Sequence, residues 1–150
     1  MKVYVRTPSR LHLGIVDVGG ELGRIYGSIG VAIQRPSVMI KVSASNRLKV
    51  IGEKTELVGQ LARKFFKYYG IKGEAIIDSK FTIPEHVGLG SGTQLTLALA
   101  VALAKIFKIK ATVREIAEVM GRGLVSGIGT AVFERGGFIF DGGKKLQTNV

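Results

Sequence analysis

Glycines at 88, 90 and 92 alternate with Leu89, Ser91 and Thr93 inside the stretch Pro84-Glu-His-Val-Gly-Leu-Gly-Ser-Gly-Thr-Gln94. Glycine lets a backbone turn sharply and come close to a ligand, and Ser91 and Thr93 add hydroxyl donors. The stretch lies between a strand pattern that runs into Pro84 and an apolar helical pattern that opens at Ser91, so the unpaired N–H groups of a first helical turn face the same spot. A helix start carries about half a positive charge and several free donors, which suits phosphate or pyrophosphate. No Gly-Lys-Ser or Gly-Lys-Thr follows, so this is not a Walker loop, and the spacing differs from that of a dinucleotide fingerprint. A tight strand-to-helix turn with a serine cap and no ligand is the other reading of the same residues.

Further residues can reach an anion. Arg10 and His12 project from one face of a strand, where they can meet a carboxylate or a phosphate, or simply pack. Asp17 and Arg24, with Glu21 between them, lie on a glycine-rich loop of the sort where binding residues concentrate. Arg122 stands between Gly121 and Gly123 just before Ser126; it either approaches an anion at the loop or meets the carbonyl end of a preceding helix. His86 reads as a turn residue and Arg135 as exposed.

Composition narrows the classes. The chain has 150 residues, 46% of them hydrophobic, which suits a single domain over 1–150 with an apolar core. Its 22 Lys and Arg against 11 Asp and Glu give a net charge of +11, which favours anionic partners. The basic residues are scattered singly, without the basic stripe of a nucleic-acid surface, so no nucleic-acid partner is expected. With no cysteine and only His12 and His86, disulfides, thiolate metal sites and histidine-rich centres are excluded. The first residues alternate like a strand and carry no signal-peptide core. The longest apolar run, Leu97 to Ala104, is far short of the roughly 18 residues that span a bilayer. A cytoplasmic protein without a membrane partner is the expectation.

These residues need elements to hold them. Lys2 to Arg6 and Arg10 to Val16 read as strands joined by a turn at Thr7-Pro8-Ser9, with Leu11 and Leu13 on the buried face. Gly27 to Ile33 and Val38 to Val42 read as strands around a turn at Pro36, Leu48 to Ile51 as a short strand, and Glu74 to Ile83 as another. Leu57, Leu61, Phe65 and Tyr68 or Tyr69 recur at helical spacing over Thr55 to Tyr69, with Gly70 as the stop. Ser91 to Phe107 is apolar on nearly every face and reads as an enclosed helix. Thr112 caps a shorter helix through Met120, and 130–134 with 138–140 read as a hairpin around Gly136-Gly137. The sum is an α+β fold, with helices packed on a mostly antiparallel sheet.

Pro84 to Thr93 resembles the Pro-x-x-x-Gly-Leu-Gly-Ser-Ser signature of the GHMP small-molecule kinase superfamily, which includes galactokinase, homoserine kinase and mevalonate kinase. Thr7-Pro-Ser-Arg-Leu-His12 is similar to the family's opening strand, and Ser126-Gly-Ile-Gly-Thr-Ala-Val-Phe-Glu-Arg-Gly-Gly137 to its Ser-Gly-x-Asp stretch with a glycine pair. The resemblance implies the GHMP-kinase N-terminal-domain fold. It also shows a departure: the catalytic aspartate of the kinases aligns with Gly129, which cannot act as a base. Together with 9–12, 20–24, Gly30 and 121–129, that glycine resembles a divergent branch, the archaeal β-ribofuranosylaminobenzene 5'-phosphate synthases of methanopterin biosynthesis. Such enzymes join phosphoribosyl pyrophosphate to 4-aminobenzoate or 4-hydroxybenzoate and release CO2 and pyrophosphate.

Three readings follow from the resemblance. In the first, a phosphoribosyl-transferring synthase, Gly88 to Thr93 hold the pyrophosphate and Arg10, Arg24 and Arg122 assist, with Mg2+ available as a helper. The second is an ATP-dependent GHMP sugar or small-molecule kinase with ATP at the loop. The third is a non-catalytic or split-enzyme module that binds a phosphorylated ligand. Family members are about twice this length, so the partners expected besides a phosphorylated small molecule are a second copy in a homodimer or a separately encoded C-terminal half.

Overall fold

The computed structural model describes residues 1–81 and 83–146. In chain order it contains strands β1 (Lys2–Asp17), β2 (Arg24–Ile25), β3 (Gly27–Ser45) and β4 (Lys49–Gly52), helix α1 (Thr55–Tyr69), strand β5 (Glu74–Phe81), helices α2 (Ser91–Ile106), α3 (Val113–Val119) and α4 (Ile128–Arg135), and strands β6 (Phe138–Asp141) and β7 (Lys144–Lys145). The main sheet runs β1-β3-β5-β4 with β6 added beside the first half of β3. Its pairs are antiparallel except β4 with β5. The α+β architecture of helices on a mostly antiparallel sheet is therefore observed.

α2 is the centre of the fold. Leu95, Leu97, Leu99 and Leu103 are fully enclosed, and Ala98, Ala100 and Ala102 let neighbours approach from the remaining directions. No face of this helix is left polar, so it must lie between layers. One side packs on β1 and β3, with Val38, Ile40, Val42 and Ile77 in the shared core; the others meet α1, α3 and α4. α1 closes through Val58, Ala62, Phe65 and Phe66, and Gly70 ends it with φ 62°. α3 opens with the expected cap: the Thr112 hydroxyl accepts from the Glu115 amide while the Glu115 carboxylate accepts from the Thr112 amide. Among the described residues no helix is long and apolar enough to cross a membrane.

Four expectations are corrected. The proline turns at 7–9 and at Pro36 do not interrupt their strands: β1 and β3 run through both. The two prolines share one irregularity, where the register jumps from Pro8↔Ser37 to Ser9↔Ile33 and passes over 34–36. β1 is an edge strand, where a missing N–H costs no ladder bond on its open side. Leu11 and Leu13 are not buried but 39% and 56% exposed. The helices cover the face of Arg10 and His12 instead, while Leu11 lies in a cross-strand row with Val31 and Phe138. Residues 130–134 form no hairpin arm. They belong to α4, where Ile128 and Val132, four apart, are buried on one side, and Gly136 at φ 66° ends the helix before β6 begins. Finally, β5 stops at Phe81, and Thr82 of the expected strand lies outside the described residues.

Candidate functional site

Gly90 begins α2 with φ 71°, a left-handed conformation that glycine adopts without steric cost. A Cβ at this position would come within 2.7 Å of Arg10 Cγ, so both conformation and space demand glycine. The first intrahelical bond from outside the helix is Gln94 N–H to the Gly90 carbonyl. Among the described residues, the amides of Ser91, Gly92 and Thr93 have no hydrogen-bond acceptor, and no side chain caps them. All three residues are half-buried rather than sealed. This is an uncapped helix start that an anion can enter.

Two guanidinium groups flank it. Arg10 is fixed through its main-chain N–H to the Leu89 carbonyl (3.0 Å) and its Nη1 to the Gly88 carbonyl (3.0 Å). Arg122 follows α3, where its amide donates to Ala117 O at 2.7 Å between two glycines at φ 75°. Its side chain returns to α2, with Nη2 donating to Thr96 Oγ1 at 3.0 Å and both terminal nitrogens 3.7 Å from where a Gly92 Cβ would stand. Arg122 thus has its main-chain amide at the end of α3 and its side chain against α2. The Nε atoms of Arg10 and Arg122 are buried without a partner. Burial pulls both groups below the ordinary arginine pKa, although each stays a cation at neutral pH. Two half-desolvated cations beside three free amides can receive a multiply charged anion.

The remaining candidates divide. His12 Nε2 lies 3.3 Å from Ser126 Oγ, which lies 2.9 Å from Ser28 Oγ and accepts from the Ile128 amide at 3.3 Å. Burial, then the charge of Arg10, holds the imidazole below its ordinary pKa of 6.5, so it is neutral at pH 7. Asp17 is turned to its own loop, and Arg24 to the turn between β6 and β7. The Asp17 carboxylate accepts from the Gly19 and Gly20 amides at 2.8 and 2.9 Å, and the Arg24 guanidinium donates to the carbonyls of Gly142 and Gly143 at 2.7 and 2.6 Å.

Three residues emerge that the sequence reading missed. Gln94, fully enclosed, donates from Nε2 to the Gly129 carbonyl at 2.9 Å and accepts from the Thr7 hydroxyl, tying α2 to α4 and β1. Thr96 holds Arg122 in place. Asp141 accepts from the Gly127 amide at 2.8 Å and the Gly143 amide at 3.0 Å. Each looks ordinary in its local sequence, and its role comes from a partner 14 to 87 residues away. Gly129 packs on Thr93 so tightly that a Cβ there would come within 2.9 Å of Thr93 Cγ2. A side chain at position 129 would therefore collide with the Thr93 methyl.

Known proteins resemble the chain in sequence and in fold. The family described as GHMP kinases N terminal domain matches residues 56–137. The chain is 42% identical over 145 residues to a beta-ribofuranosylphenol 5'-phosphate synthase of Archaeoglobus fulgidus, across 95% of this chain and 46% of that protein. It is 38% identical over 153 residues to the protein of the same description from Methanothermobacter thermautotrophicus, with 95% and 46% covered. The chain thus spans about half the length of the curated relatives it matches. Among solved structures, the mevalonate kinase of Methanococcus jannaschii has a TM-score of 0.66 at 17% identity, over 92% of this chain and 52% of that one. That last likeness is one of fold.

Proposed function

The chain belongs to the GHMP kinase family through its N-terminal domain, and from that premise we propose that it forms the donor-binding part of a phosphoribosyl-transferring synthase. The donor is phosphoribosyl pyrophosphate and the acceptor 4-hydroxybenzoate or 4-aminobenzoate. The observation that carries this reading is the uncapped start of α2, with the 91–93 amides free between Arg10 and Arg122. Pyrophosphate departing from an anomeric carbon develops negative charge, and oriented amides and guanidinium groups stabilise such charge without reorganising. In the reaction, the ring carbon bearing the carboxylate bonds to the anomeric carbon while the C–O bond to pyrophosphate breaks and its electron pair leaves with pyrophosphate. Loss of CO2 then returns a bonding pair to the ring and restores aromaticity. The para hydroxyl or amine raises electron density at that carbon, so no side-chain base acting on an alcohol is required.

Gly129 supports this choice over phosphoryl transfer to a hydroxyl, since no carboxylate stands there and Thr93 occupies the space. Among the described residues no three His, Asp or Glu side chains gather as a metal-ligand set; Mg2+ would enter with the pyrophosphate. Completion of the cleft by further polypeptide, as a second copy or a C-terminal half, belongs to the same proposal. The test is pyrophosphate release from phosphoribosyl pyrophosphate by the full-length protein. Release that depends on the aromatic acid is expected, whereas ATP turnover with sugars or alcohols would replace this reading with the kinase.

A further inference from the structure

A cavity of about 610 Å3 opens between α3, α4 and β6, with Arg122 in its wall. Four cations line it, Arg114, Arg122, Arg135 and Lys144, against two acids, Glu118 and Asp141, and Arg114 and Arg135 share a third, Glu134, at 4.0 and 3.8 Å. Asp141 is already committed to the amides of Gly127 and Gly143. The cavity wall also contains a buried group in need of a partner: Thr130 is 93% buried, yet its hydroxyl makes no hydrogen bond. A buried hydroxyl without a partner is costly and marks a place where a ligand or ordered solvent completes the structure. Arg122 joins the two regions, because its guanidinium lies against Gly92 and Thr96 at the loop while its own Nε is buried and unpartnered.

We propose that this cavity is a second anion subsite, which receives a phosphate monoester on the same small ligand whose other anionic group lies against the 91–93 amides. The proposal rests on the synthase reading for the ligand's identity: the occupant is then the sugar 5-phosphate end of the donor, with Arg122 between its two charged ends. Thr130 and Arg122 bind it from the wall, and Arg114, Arg135 and Lys144 supply attraction at the rim. Hydroxyl and guanidinium donors around a cationic opening match a phosphate ester better than a neutral sugar.

Isothermal titration of the full-length protein with ribose 5-phosphate, pyrophosphate and inorganic phosphate tests this directly. Thr130→Val removes the unpartnered hydroxyl at nearly constant volume, so folding is retained or strengthened, and Arg135→Gln changes a residue whose side chain is 70% exposed. The expected result is an approximately tenfold weaker ribose 5-phosphate affinity in the first variant and about threefold in the second, the latter shrinking with salt, with pyrophosphate unchanged. Unchanged ribose 5-phosphate affinity in both variants overturns the subsite, and intact acid-dependent pyrophosphate release in those proteins would leave the synthase reading standing. Binding of ribose 5-phosphate no better than inorganic phosphate also overturns it. The expected losses in a protein that never releases pyrophosphate would keep the subsite and reject the synthase.

Discussion

Two helix starts lie side by side in this molecule, and they differ in how far the protein supplies acceptors for their first donors. At α4, the Gly127 amide donates to the Asp141 carboxylate and the Ile128 amide to the Ser126 hydroxyl, so the protein itself supplies acceptors for the donors at 127 and 128. At α2, three successive amides are left without acceptors, and the guanidinium groups of Arg10 and Arg122 lie beside them. Both starts have the same partial positive charge and the same intrinsic appetite for an anion. A helix start thus becomes a candidate site through what the rest of the chain withholds from it.

The contrast is broken most severely at Gly90. Gly90→Val forces a β-branched residue into a left-handed backbone and against Arg10, so pyrophosphate affinity measured by titration should fall more than roughly 100-fold, with a stability loss of about 1–3 kcal/mol in thermal unfolding. Retained affinity would sink the assignment of the loop. Asp141→Ala probes the opposite start. Loss of a carboxylate cap should lower stability by about 1–2 kcal/mol, while pyrophosphate affinity at α2 stays within a factor of two or three; a large loss of affinity would mean that the two helix starts share one ligand.

The smallest effect sharpens the comparison electrostatically. Arg10→Met removes one of the two causes that hold the His12 imidazole low, so the His12 pKa read by NMR titration should move up toward 6.5 without passing it, because burial still acts. Bound pyrophosphate should shift it in the same upward direction, since a nearby anion favours the charged ring. The sign for stability follows: a group with a depressed folded pKa binds fewer protons than in the unfolded chain, so its contribution is present above pH 6.5 and falls as pH drops below it.

Much of this arrangement is legible in the residues themselves. The glycines at 88, 90 and 92 pointed to sharp turns, which the structure makes with left-handed backbone at Gly88 and Gly90, and the continuous apolar character of α2 pointed to enclosure. The Thr112 and Glu115 pair announced its own cap. α4 was hidden because Thr130, Val132 and Phe133 carry strand-favouring side chains and Gly136-Gly137 imitates a hairpin turn. Packing of Ile128 against Gly30, where a Cβ would come within 2.3 Å, decided the matter, and that contact spans 98 positions of sequence. The burial of Arg10 and His12 in place of Leu11 and Leu13 reversed for a related reason, since alternation defines two faces of a strand but not which one the helices will cover.

The Gln94 side chain has a consequence beyond its two partners, Thr7 and Gly129. The segments that carry Arg10, the free amides and Gly129 are held in mutual alignment by a side chain that is itself shut away from solvent. Frame and selectivity are therefore carried by different residues. The exposed cations at the cavity rim can be exchanged to retune which charged metabolite is favoured, while the scaffold that aims the helix keeps its shape.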